Sequence, residues 1–104
     1  MDNRRDLAAL VHELNGVIAL RSGRLDDALV ECNEAVALLA DLDPDDRPTL
    51  LLNRGAVHLL RRDLRAARAD LSASARFASE LGMTRQEFKA QHNLGYAEFL
   101  AGDI

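Results

Sequence analysis

The stretch NRGAVHLLRRDL at residues 53–64 decides the fold, because its pattern occurs three times along the chain. In each copy a glycine is followed seven positions later by a turn-like position and nine positions later by an aliphatic residue. The glycines are separated by 39 residues and then by 40. Such regular spacing predicts an internal helical repeat. The equivalent positions are Gly16, Gly55 and Gly95, then Gly23, Arg62 and Gly102, then Leu25, Leu64 and Ile104.

The composition favours helices throughout. Of 104 residues, 48% are hydrophobic but only 4% are aromatic, and alanine and leucine supply most of the apolar content. Both are good helix formers. Apolar residues recur at spacings of three and four, and no segment alternates as a strand would. The sequence therefore predicts an all-α domain with helices at about residues 3–21, 25–39, 48–61, 64–81 and 84–101.

Residues with capping preferences support these boundaries. Pro48 suits the first turn of the third helix, where a missing N–H costs little. Asp63 can cap the fourth helix, and Gly82 can end it. Thr84 and Glu87 have the spacing of a capping box at the start of the fifth helix.

The repeat glycines fall in the middle of predicted helices, where glycine costs about 1 kcal/mol relative to alanine. Close packing explains this cost, because a glycine lets two helix backbones approach each other. Ala28 and Ala67, at equivalent positions on the second and fourth helices, are the expected small partners. A larger residue at Gly16, Gly55 or Gly95 is therefore expected to overpack the contact.

The order of these features resembles the tetratricopeptide repeat: Asn-(Arg/Leu)-Gly, a second break seven residues later, then Leu-x-x-Ala. The resemblance covers essentially the whole chain and is to the long-repeat branch, similar to kinesin light chain and bacterial peptide-sensing regulators. The phrase HNLGYAE at residues 92–98 also looks like actinobacterial proteins in which such repeats precede a caspase-like CHAT peptidase domain. Repeat one departs from the pattern, because its asparagine, Asn15, stands one position closer to the glycine.

The resemblance implies antiparallel helix-turn-helix repeats stacked as a short right-handed superhelix of about five helices. Repeat one would cover about residues 3–43, repeat two about 48–82, and a half repeat about 84–104. A sixth helix would begin at Ile104, so the chain is expected to be a fragment of a longer protein. The fifth helix would then offer Leu94, Ala97, Leu100 and Ala101 as a surface for homodimer formation.

The resemblance also implies a ligand groove on the concave face, which the first helix of each repeat lines. Asn53 and Asn93 are the sharpest candidates, because a carboxamide both donates and accepts hydrogen bonds and asparagine at this position grips the ligand backbone in the long-repeat relatives. The alternative is that these asparagines bond neighbouring helices or water. The implied groove positions are Leu10, Glu13, Val17, Leu20 and Arg21, then Leu52, Asn53, Ala56, Leu59 and Leu60, then Lys89, His92, Asn93, Tyr96, Phe99 and Leu100.

Four of these residues carry further recognition chemistry. Tyr96 and His92 can stack on a ligand or recognise its side chains, or they can pack against a sixth helix. Arg21 and Lys89 can meet an acidic peptide or a C-terminal carboxylate, or they can be solvated charges.

Little in the sequence points to catalysis. Cys32, the only cysteine, lies on the apolar stripe of the second helix and is expected to be buried as a small hydrophobe. His12, His58 and His92 belong to three different helices, so no metal site is expected. No phosphate-binding loop or nucleophile motif occurs. We therefore expect no enzymatic activity, no cofactor and no metal.

Charge and hydropathy narrow the partners. The net charge of -4 argues against nucleic acid, and no apolar stretch is long enough to span a membrane, so a cytoplasmic location is expected. The sequence predicts a non-catalytic scaffold that binds a protein or peptide on the concave face. The alternative is a regulatory or oligomerisation module of a larger CHAT-type peptidase or of a transcriptional regulator.

Overall fold

The computed structural model describes residues 3–39 and 43–102, and this part of the chain is all-α, as predicted. It contains five α-helices and one short 3-10 helix, Pro44–Asp46, with no strand. The predicted ends of the helices agree with the structure to within two residues. The helices are α1 (Asn3–Arg21), α2 (Leu25–Ala37), α3 (Arg47–Leu60), α4 (Leu64–Glu80) and α5 (Thr84–Leu100).

The predicted caps have mixed outcomes. Asp63 accepts a hydrogen bond from the backbone N–H of Ala66 and caps α4, and Pro48 lies in the first turn of α3, both as predicted. The capping box at Thr84 is wrong, because Thr84 is already the first residue of α5 and makes no side-chain cap. The left-handed backbone of Gly82 closes the turn so tightly that Met83 takes the capping position.

Consecutive helices pack antiparallel as two pairs followed by a single helix. In the first pair, His12 of α1 lies against Glu31 of α2, with Nδ1 and Oε2 2.6 Å apart. In the second pair, the buried Ser74 hydroxyl of α4 donates a 2.6 Å hydrogen bond to the carbonyl oxygen of Pro48 at the start of α3. The α3 helix also packs against α1 and α2, and α5 packs against α3 and α4. Each pair therefore contacts its neighbour along the chain, as expected for a repeat stack.

The core consists of three small clusters rather than one large one. Two of them join the first pair to α3, through Leu50 against Ala9 and through Val57 against Ala19. The third joins α3, α4 and α5 around the fully buried Leu71. Alanine supplies most of the buried residues, so these helices approach closely and each contact is small.

Two of the three repeat glycines make the predicted close contact. A Cβ on Gly55 would fall 2.8 Å from the Cγ and Cδ2 atoms of Leu71, and one on Gly16 would fall 3.1 Å from the Cys32 sulfur. Cys32 and Leu71 stand at equivalent positions, 39 residues apart, so the two pairs repeat the same contact. The nearest atom to a Cβ on Gly95 lies more than 4 Å away within the described chain, so the predicted overpacking at that glycine is wrong here.

The predicted small partners need a correction. Ala28 and Ala67 are fully buried, and the carbonyl oxygen of Ala28 would lie 3.7 Å from a Cβ on Gly16. The nearest side chains, however, belong to Cys32 and Leu71, one helical turn further along. The glycine leaves room for these larger residues, because each points across the helix interface rather than beside it.

Candidate functional site

A groove of about 330 Å³ runs between α3 and α5 and brings together residues from two repeats. Six of its seven lining residues are predicted groove positions. Sequence reasoning missed the seventh, Phe88, although it precedes His92 by one helical turn and so lies on the same side of α5. The lining residues are Leu52, Asn53, Ala56, Phe88, Lys89, His92 and Asn93.

Asn53 and Asn93 occupy equivalent positions in their repeats, 40 residues apart, and lie on opposite walls of this groove. Both are half-buried. Within residues 3–39 and 43–102, neither carboxamide makes a hydrogen bond to the rest of the protein. The alternative that they bond neighbouring helices is therefore not what this part of the chain shows. Each retains a free donor and a free acceptor.

The charged and aromatic residues of the groove lie on the α5 wall. Lys89 carries the one formal positive charge among the lining residues, and none of them is acidic. His92 stacks against Phe88 with ring centroids 6.5 Å apart, and both rings are exposed. The floor is apolar, with Leu52 buried and Ala56 half-buried. The groove thus combines an apolar base, two amides and a cation.

Other predicted site residues lie outside this groove. Tyr96 is exposed on α5 and stacks with Phe99, with ring centroids 6.5 Å apart. Arg21 is exposed in the last turn of α1. Leu59 is buried in the core, so it is not available to a ligand. The structure therefore brings together Asn53, Asn93, His92 and Lys89, but not Tyr96 or Arg21.

The first helix contributes no residue to this groove. Among its predicted groove positions, Leu10 and Arg21 are exposed, whereas Val17 and Leu20 are partly buried and Leu20 packs against the core. Glu13 is half-buried, and its burial, together with the nearby charge of Asp46, raises the pKa of its carboxyl group. A lower dielectric disfavours the charged form of a carboxyl, and a second acid adds repulsion.

The face of α5 predicted for chain pairing is already occupied within the molecule. Ala97 is fully buried, and Leu94 and Leu100 pack against the cluster formed by α3, α4 and α5. The prediction is therefore wrong for these three residues, whereas Ala101 follows the end of α5 and is exposed. The error has a simple origin: an apolar stripe on a terminal helix packs on the preceding pair before it is available to a partner.

Sequence reasoning missed the polar contacts inside the second pair. The guanidinium of Arg54 reaches the carboxylate of Asp70, which is buried, and this hydrogen bond raises the pKa of Arg54. Arg54 also donates a long hydrogen bond of 3.4 Å to Asn33 of the preceding pair. The signal was present, because Asp70 and Glu31 are 39 residues apart and each pairs with a basic side chain.

The remaining candidates are structural. Cys32 is buried, as predicted, and burial raises the pKa of its thiol to about 11. Among residues 3–39 and 43–102, no three His, Cys, Asp or Glu residues are grouped so as to hold a metal ion. None of the helices in that same part of the chain combines the length and the apolar character needed to cross a bilayer.

Comparison of the chain with family models, with curated proteins and with solved structures found no match.

Proposed function

We propose that this chain is a non-catalytic scaffold of the tetratricopeptide type that binds an extended segment of another protein between α3 and α5. The observation that carries the proposal is the pair Asn53 and Asn93, one from each repeat, with free carboxamides on opposite walls of one groove. Each carboxamide can donate to a peptide carbonyl and accept from a peptide N–H. Two such groups in register can hold a ligand backbone in the groove.

The other groove residues indicate the ligand's chemistry. Lys89, with no acidic lining residue to oppose it, favours an acidic side chain or a C-terminal carboxylate. The exposed Phe88 ring and the buried Leu52 side chain offer an apolar surface for one ligand side chain. We therefore propose a short acidic segment with an apolar residue, bound in extended form.

A catalytic role has little support in the same residues. The Cys32 thiol is buried behind Gly16, and with a pKa of about 11 it is protonated at neutral pH. A protonated thiol is a poor nucleophile. A reduced, buried cysteine also fits the reducing cytoplasm, where we place the protein.

Selection of peptides from a displayed random library tests the proposal, with affinities then measured by fluorescence anisotropy. Asn53→Ala and Asn93→Ala should each weaken binding about fivefold, because a net hydrogen bond contributes about 1 kcal/mol. The melting temperature should not fall, since neither carboxamide bonds the protein and alanine is a better helix former.

Asn15→Ala is the matched control, because Asn15 is an exposed asparagine on α1 and lies outside the groove. It should leave the affinity unchanged. Equal losses from all three variants, or no selected peptide at all, would argue against the groove as the binding site.

A further inference from the structure

The outer face of α5 is centred on Gly95 and has no covering helix in the described chain. It consists of Phe88, Gln91, His92, Gly95, Glu98, Phe99 and Gly102, which recur at helical spacing, and all are exposed. Phe88 is 72% exposed and Phe99 is 59% exposed. Large aromatic rings at this level of exposure are rare away from contact surfaces, because each buries a large apolar area when covered.

The internal repeat shows what normally covers this face. The equivalents in α3, 40 residues earlier, include Pro48, Leu52, Gly55 and Leu59, and all are buried. They face α4, an antiparallel helix whose Leu71 side chain touches Gly55. The outer face of α5 is therefore the face on which each earlier pair carries an antiparallel helix.

The distribution of aromatic residues supports an interface at this position. The chain has three Phe residues and one Tyr, and three of these four, Phe88, Tyr96 and Phe99, are exposed on α5. Aromatic side chains are enriched in the cores of protein interfaces and supply much of their binding energy. The fourth, Phe77, is only partly exposed and lies beneath the guanidinium groups of Arg47 and Arg76.

We propose that the outer face of α5 binds the same face of a second copy of this chain, with the two α5 helices antiparallel and crossing at Gly95. The face is self-complementary about that glycine. His92 and Glu98 stand three residues before and after Gly95, so each His92 meets Glu98 of the partner subunit, twice per dimer.

The shape of the face matches the charge pattern. Phe88 and Gly102 stand seven residues before and after Gly95, so the largest side chain of the face meets a residue without one. Gln91 and Phe99 are paired in the same way at four residues. This combination of opposite charges and opposite sizes selects a second copy of the chain over an unrelated helix.

A second unpartnered stripe lies on α1, where Leu7, Val11, Leu14 and Ile18 are exposed. It is aliphatic and carries no charge pair that would fix the register of a partner. We therefore place the dimer contact on α5, and the α1 stripe becomes an outcome that the experiment can report.

Sedimentation equilibrium of the full chain and of Gly95→Leu tests the contact directly. Nothing in the described chain lies within 4 Å of a Cβ at Gly95, and leucine is a better helix former than glycine, so the variant subunit should be at least as stable as the original. Its side chain would separate the two helices at their crossing point. We expect a concentration-dependent dimer for the original chain and a dissociation constant raised about tenfold or more for Gly95→Leu.

A charge exchange tests the register. Glu98→Lys should weaken the dimer by about fivefold at low salt, because it places a positive charge near His92 of the partner subunit. The double variant with His92→Glu should recover most of that loss, since opposite charges again face each other. Recovery requires that the two positions meet across the interface, which a merely structural effect would not produce.

Three results would overturn the proposal. One is a monomeric original chain at millimolar concentration, which would leave the face to another protein. A second is a dimer that Gly95→Leu and Glu98→Lys do not weaken, and a third is a dimer that is lost only in Ile18→Glu, which would move the contact to α1. Because Gly95 and Glu98 lie outside the groove, peptide binding by these two variants reports the proposed function separately.

Discussion

The guanidinium of Arg54 in α3 donates two hydrogen bonds to the carboxylate of Asp70 in α4, from Nε at 2.7 Å and from Nη2 at 2.8 Å. Asp70 is buried, and His58 Nε2 lies 3.7 Å from the same carboxylate. In the first pair, Glu31 at the equivalent position contacts His12. An acid at one repeat position thus ties the second helix of each pair to the first.

This ion pair predicts a strong effect of removing one partner alone. Arg54→Ala should lower the free energy of unfolding by about 3 kcal/mol, because it leaves a buried carboxylate without its hydrogen-bond donors. Arg54→Ala combined with Asp70→Ala should cost clearly less than the sum of the two single changes. Urea unfolding of the four proteins gives the coupling energy, and additive costs would show that the pair contributes little.

The repeat glycines predict opposite effects of the same substitution. Gly55→Ala should destabilise the protein, because the new Cβ would fall 2.8 Å from Leu71, which is fully buried and must shift. The overpacking cost of about 1–3 kcal/mol exceeds the helix-propensity gain of about 1 kcal/mol. Gly95→Ala meets nothing and should stabilise by up to about 1 kcal/mol.

Thermal unfolding at low protein concentration measures both glycine variants without a contribution from dimers. Gly16→Ala, with a 3.1 Å contact to Cys32, should fall between them. A rise in melting temperature for Gly55→Ala would contradict the packing described for α3 and α4.

The turn between α3 and α4 predicts a stabilising change. Arg62 has a φ of 65°, the left-handed conformation that Gly23 adopts at the equivalent position with a φ of 75°. Left-handed backbone costs a residue with a Cβ roughly 1 kcal/mol. Arg62→Gly should therefore raise the free energy of unfolding by about 0.5–1 kcal/mol, and Gly23→Ala should lower it. Chemical denaturation compares the two directly.

The raised pKa of Glu13 predicts a stability that depends on pH. The folded pKa lies above the model value of 4.5, so ionised Glu13 opposes folding. This penalty is absent well below pH 4.5 and is complete once the pH exceeds the folded pKa. Glu13→Gln should therefore raise the melting temperature at about pH 7 and leave it nearly unchanged at about pH 3. An equal rise at both pH values would rule out the carboxylate charge as the cause.

The helices and their pairing were predictable from local features. Glycine spacing set the repeat, and Pro48 and Asp63 marked helix starts through chemistry that depends on a few neighbouring residues. The partner of each glycine was less predictable, because it depends on how two helices cross. The sequence alone does not distinguish Ala67 from Leu71 on the same face of α4.

The site was predictable in part for a related reason. Asn53 and Asn93 follow from repeat position, whereas the distance of Tyr96 and Arg21 from the groove depends on the angle between α3 and α5. The α5 stripe shows the same limit. Leu94 and Ala97 look available in the sequence, yet they pack inward, and Phe88 and Phe99 on the opposite side remain exposed.

The most direct measurement of the central claim is an NMR titration of the uniformly ¹⁵N-labelled chain with a selected acidic peptide. The account predicts that the side-chain amide signals of Asn53 and Asn93 shift together and saturate with the same dissociation constant, while that of Asn15 does not move. Shifts confined to Asn15, or to the backbone of α1 and α2, would contradict binding between α3 and α5.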